Sequence, residues 1–266
     1  MSFLIQLFLK SFIETINLVG VIIIAGLILG ILRNSALKNF QMSFGSNAVM
    51  LTGFIGVPVH ELSHAIFALI FGHKIMDIKL LQRPDANGVM GYVNHSYNKN
   101  NIYQQVGNFF IGTAPIFGGA IFIIILMKYM MPAAYGDLLY ILKTSLHVTV
   151  INRHAVELML ASYFGLLKVI FSPENFRNIY FYIFLFISIC VSSHISLSSA
   201  DIKQSYNGVA VIFIVFLMFN IFGISKYVPE FSIIKYNLLI TGIMIFTIFL
   251  SLFTFIISII SRLIKS

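Results

Sequence analysis

Charge is scarce in this sequence. Of its 266 residues, 10% are Asp, Glu, Lys or Arg and 59% are hydrophobic, and the mean hydropathy is +0.94. A water-soluble domain of this length could not cover its surface with so few polar groups, which excludes an ordinary globular fold. Acidic residues are scarcer than basic ones, nine against 17, which leaves a net charge of +8. The basic residues form no cluster; they stand between apolar runs, where Lys and Arg meet anionic head groups. No nucleic-acid partner is expected. Cysteine occurs once, at Cys190 inside an apolar run. That excludes an intrachain disulfide and a cysteine-based zinc site. A cleavable signal is also lacking: Lys10 is followed by Glu14, and Arg33-Asn34-Ser35-Ala36 has no small-x-small pattern. No gap between apolar runs is long enough for a soluble module, so residues 1–266 read as a single integral-membrane domain.

What is present is a series of long apolar runs. A helix needs roughly 20 apolar residues to cross a bilayer. Runs at about 3–32, 48–72, 102–130, 176–201, 208–224 and 233–260 predict an all-α polytopic protein with about six transmembrane helices. Multi-pass insertion in the cell membrane is expected, with the lipid bilayer as solvent. Arg33 to Gly45 reads as a polar loop. Residues 133–172 are helical in pattern but carry Lys143, His147, Arg153, His154, Glu157 and Lys168, which suits helices lying at the interface. Gly72 is placed as a helix stop.

Residues 75–97 differ in kind. Ile75 to Leu81 alternates loosely, Pro84-Asp85-Ala86-Asn87-Gly88 is a strong turn signal, and Val89 to Asn94 reads as a return strand. The prediction is a small β-hairpin whose edge can accept a peptide by strand addition. In the next run, Gly112, Ala114, Gly118 and Gly119 suit close helix packing, and Pro115 should bend or break the helix. Gln105 and Asn108 in that run are expected to line a polar cavity.

The densest chemical signal is His60-Glu61-Leu62-Ser63-His64, inside an apolar run. Residues four apart share one helix face, so His60 and His64 can hold one metal ion between them. Glu61 can reach a water on that metal as a general base. Ionisable groups inside a span are costly and mark function. A catalytic zinc takes a third protein ligand, expected from another span at similar depth. Counting about 1.5 Å per residue, His194 matches the depth of His64 slightly better than Asp201 does. A break in the serine-rich Ser196–Ser199 stretch would bring Asp201 inward instead.

The H-E-L-S-H sequence within a span, the hairpin after it, the small-residue-rich run that follows and a later run bearing a carboxylate together resemble the site-2 protease family of intramembrane zinc metalloproteases. The resemblance covers about residues 48–130 and 176–208. It implies Zn2+ as cofactor, His60, His64 and Asp201 as ligands, and Glu61 as catalytic base. The family's usual Asp-Gly pair is absent: Asp201 is followed by Ile202, which keeps His194 as an alternative ligand or supporting residue. Substrates would be membrane proteins or membrane peptides, cleaved in or near a transmembrane segment, with Asn108 binding the unwound backbone. Two other readings compete: a membrane metal-ion transporter or channel, and a non-catalytic member of the same fold.

Overall fold

A computed structural model describes residues 2–85, 88–146, 153–224 and 230–265. In chain order the elements are α1 (Ser2–Phe44), α2 (Ser46–Ile70), β1 (Lys74–Lys79), β2 (Tyr92–Ser96), α3 (Ile102–Met130), α4 (Pro132–Ser145), α5 (Arg153–Ile170), α6 (Ile179–Ser192), α7 (Ser199–Ile221) and α8 (Glu230–Lys265). Five of the helices, α1, α2, α3, α7 and α8, are long and apolar enough to cross a membrane. The chain is an all-α polytopic membrane protein with one small antiparallel sheet, as expected.

Among the described residues five helices, not six, reach the length of a span, and two segments of the sequence reading need correction. Arg33 to Gly45 is not a loop: α1 runs unbroken to Phe44. Two of its polar residues find partners along the way. Asn39 donates to Ser258 of α8 at 3.1 Å, and Ser43 donates back to the Asn39 carbonyl at 2.8 Å. Ala36 and Phe40 are buried beside them. Nor is 176–201 one span. Helix α6 has 14 residues, about 21 Å at 1.5 Å per residue, which is short of a bilayer core of about 30 Å. It stops at Ser192, and α7 starts afresh at Ser199. The cause is local. The Ser198 side chain accepts from the Asp201 N–H while the Asp201 carboxylate accepts from the Ser198 N–H, a reciprocal capping box that opens a new helix.

The core is one apolar cluster, including Val19, Ile22 and Leu29 of α1, Ile116 and Ile123 of α3, and Phe181 and Phe184 of α6. Four buried hydroxyls are satisfied within their own helices. Thr15, Ser63, Thr113 and Thr254 each donate to the carbonyl four residues back, which suits a non-aqueous surrounding. Small residues set the helix spacing, as the sequence predicts. At Gly112 of α3 a Cβ would lie 2.6 Å from the Asp201 carbonyl oxygen, so only glycine lets the first turn of α7 rest here. Helix α3 passes through Pro115 without ending.

Gly72 ends α2 as predicted. Its φ is +71°, its N–H bonds the Leu69 carbonyl at 3.0 Å, and the His73 N–H bonds the Ala68 carbonyl at 2.8 Å. This is a Schellman stop, and it fixes where His73 emerges. Strands β1 and β2 pair from Lys74↔Ser96 to Lys79↔Tyr92, with a register shift between Ile75 and Asp77. The return strand begins at Tyr92, three residues later than expected from sequence. Residues 88–91 instead lean on α2: Met90 is buried, and its Cε occupies the space that a side chain at Gly53 would need.

Candidate metal centre and active-site cavity

His60 and His64 lie one turn apart on α2, and each ring is held from behind. The His60 Nδ1–H donates to the His194 carbonyl at 2.9 Å, and the His64 Nδ1–H donates to the Ile111 carbonyl at 2.8 Å. Neither acceptor is taken by a helical bond from four residues on, although the His194 carbonyl also accepts from the Ser196 N–H at 3.0 Å. His194 lies just past the end of α6. Ile111 sits four residues before Pro115, which has no N–H to close that helical bond. The proline that might have broken α3 instead releases an acceptor for His64. With both Nδ1 protons engaged, both Nε2 atoms present lone pairs to the same point, 3.2 Å apart.

Asp201 completes the group. Its Oδ1 is 3.2 Å from His64 Nε2, and its Oδ2 is 3.7 Å from His60 Nε2. The capping box holds it there: Oδ2 accepts from the Ser198 N–H at 2.6 Å. The ligand atoms of His60, His64 and Asp201 lie within 4.8 Å of one another. Two imidazole lone pairs and a carboxylate are all acceptors, and such a set fits a cation. For zinc bonds of roughly 2.0–2.1 Å the edge of a tetrahedron is about 3.3 Å, close to the spacings seen.

His194 does not turn its ring to this point. Its Nε2 lies 3.3 Å from the Thr52 hydroxyl, and its ring packs against Gly56. It meets the centre through its backbone carbonyl.

Glu61 is buried and lies within Coulombic range of His60, His64 and Asp201. Its carboxylate makes no hydrogen bond to the described residues. It lies on a cavity of about 530 Å³ that also takes in His60, His64 and Asp201. Gly91 presses on it: a Cβ there would lie 2.8 Å from Glu61 Cγ and 2.9 Å from the Lys79 carbonyl. Tyr92, Val93, Asn94 and His95 of β2 line the same cavity, so β2 is its strand wall.

The residues expected to line a polar cleft are placed otherwise. Gln105 bonds the Lys99 carbonyl at 2.8 Å, and Asn108 is buried; neither is on the cavity wall. Asn108 accepts from Gln204 at 3.4 Å, and Gln204 is on that wall. Sequence reasoning missed Gln204 and Arg33. Gln204 follows Asp201 by three residues on a helix face, a signal available once α7 is seen to start at Ser199. Arg33 lines the cavity from α1 and has a buried Nε with no hydrogen-bond partner among the described residues. Nothing local marks it, because the two meet only in the fold. Of the two further histidines, His147 lies outside the described residues, and only the backbone of His154 is described.

No curated protein and no solved structure matches the chain. A family model does: the one described as peptidase M50B-like matches residues 46–208, from the first residue of α2 into α7, more than half of the chain. The matched segment contains His60, Glu61, His64, the strand wall and Asp201. The chain therefore belongs to the site-2 protease family of intramembrane metalloproteases, as a peptidase M50B-like member.

Proposed function

We propose that this protein is a zinc-dependent endopeptidase of the cell membrane that hydrolyses peptide bonds in or near transmembrane segments, with residues 1–266 acting as one membrane domain. The observation that carries this reading is the convergence of His60, His64 and Asp201 beside Glu61 in one cavity. Zinc held by those three residues supplies Lewis acidity toward a carbonyl oxygen and acidity to a water. Glu61 takes the proton of the attacking water and returns it to the leaving amine. The His194 and Ile111 carbonyls hold the two imidazoles in the tautomer that keeps Nε2 as ligand. Arg33 brings positive charge to the cavity wall, where a carbonyl oxygen gains negative charge during attack.

A transmembrane helix hides its carbonyls in its own hydrogen bonds, so the substrate must unwind to be cut. Among the described residues, strand β2 pairs only with β1, on one side. Its other edge can take the unwound segment as an added strand along the cavity, which is also a route for pairing the freed backbone groups.

The ligand set is tested by metal content. Asp201→Ala removes a ligand and should strip most of the bound zinc. His194→Ala keeps the carbonyl that holds His60, so zinc should stay near the wild-type level. Wild-type zinc content in Asp201→Ala, measured on purified protein, overturns the ligand set.

A further inference from the structure

Beside the metal centre runs a chain of hydrogen bonds with a forced direction. His73 Nε2 lies 2.8 Å from the Gln104 carbonyl, which can only accept, so that nitrogen carries the proton. In the neutral ring, His73 Nδ1 is then an acceptor. It lies 2.9 Å from His95 Nδ1, which must donate. His95 Nε2 is left as an acceptor, and the Gln204 Nε2 amide donates to it at 3.0 Å. The same amide group donates to Asn108 Oδ1 at 3.4 Å. Both Gln204 N–H bonds are thereby engaged. Its Oε1 has no protein partner among the described residues, and Gln204 is on the cavity wall.

We propose that Gln204 is a substrate-binding residue whose Oε1 accepts a backbone N–H from the unwound peptide, and that His73, His95 and Asn108 are positioning residues that fix its amide this way round. This rests on the peptidase reading above. An added strand on β2 runs along the cavity wall that Gln204 shares. An extended peptide has N–H groups on both edges. Those facing away from β2 need an acceptor, because the surroundings are poor in water.

The relay also has an acid form. Burial holds both histidines below the ordinary imidazole value, and the neighbouring His73 lowers His95 further. The titratable groups that face them are each other, Tyr97, stacked on His73 at 4.9 Å, and at longer range His64. A proton on His73 Nδ1 reverses every donor down the line: His95 must present Nε2–H, and Gln204 must turn its NH2 to the cavity. The wall then offers a donor where the peptide also brings a donor.

The test uses zinc-loaded protein and a single-span peptide chosen from a pool because the wild type cleaves it. If the wild type cleaves none, the peptidase reading fails and this inference with it. Binding is then measured at neutral pH in the Glu61→Gln background, which does not turn over. Esters replace the peptide N–H groups one at a time across the cleavage site. At one position the ester should bind about five-fold more weakly, the size of one net neutral hydrogen bond. In Gln204→Ala the amide should weaken by the same factor, and the ester should lose nothing further. An equal ester penalty with and without Gln204, or no penalty at any position, overturns the inference and leaves the peptidase reading standing. In the active protein, His95→Ala should raise KM with kcat little changed. His95→Gln, whose side-chain oxygen can still accept from Gln204, should restore KM. An unchanged KM in His95→Ala, or no recovery in His95→Gln, overturns the positioning role.

Discussion

Pro115 shows how one residue can matter by what it lacks. Its missing N–H leaves the Ile111 carbonyl unclaimed by α3, and His64 Nδ1 takes it at 2.8 Å. Pro115→Ala restores the N–H, which competes for that carbonyl and loosens the ring. Outer hydrogen bonds of this kind are worth about 10–100-fold in metal affinity. Zinc affinity should fall by about 10-fold or more by that measure, with helix content by circular dichroism unchanged. Unchanged affinity would show that the bond to Ile111 does not orient His64. The sequence marked Pro115 as a bend, because a helix reading sees only the bond that is lost. The new partner comes from α2, far along the chain. His60, Glu61 and His64 were legible for the opposite reason: a spacing of four is a local fact on any helix.

Elements carry the next level of the site. Asp201 reaches the histidines because α6 ends early and α7 begins with a capping box. Reading 176–201 as one span put Asp201 too shallow and made His194 the better match in depth. The Ser198-x-x-Asp201 spacing was the available sign of the break. The hairpin was legible from its alternation and turn residues, but its role as a cavity wall was not, since that depends on Met90 and Gly91 seating on α2.

The hairpin also docks through His73 and His95. Burial lowers both imidazoles, so in the docked state they stay neutral where the released chain would take up protons. The proton excess of the released state makes docking strongest above the ordinary histidine value of roughly 6.5, and weaker as pH falls below it. Amide exchange in β1 and β2 should quicken between about pH 6.5 and pH 5 while the middle of α3 holds, given that reference value. Exchange in the strands that is insensitive to pH over this window, after correction for the intrinsic rate, contradicts the relay.

At the scale of the molecule, the family segment 46–208 is flanked by α1 and α8, which lie outside the match. They are not mere anchors. Helix α1 supplies Arg33 to the cavity and apolar residues to the core, and its C-terminal part is tied to α8 through Asn39, Ser258 and Arg262. Among the described residues the number of spans fell from six to five because α6 stops short of a full span, but the apolar runs came through in the sequence because lipid imposes a simple length rule. The reach of α1 did not, since its last turns are polar in sequence and become helical by pairing with α8.

The central claim is that a base beside a three-ligand metal site cuts peptide bonds. Glu61→Gln tests it most directly, because it removes the base and spares His60, His64 and Asp201. Zinc content and cleavage of a membrane-inserted peptide are measured on the same preparations of wild type and variant. The account predicts equal zinc and cleavage lowered by at least about 100-fold, the lower range for a general base. Equal cleavage by the two proteins would contradict it.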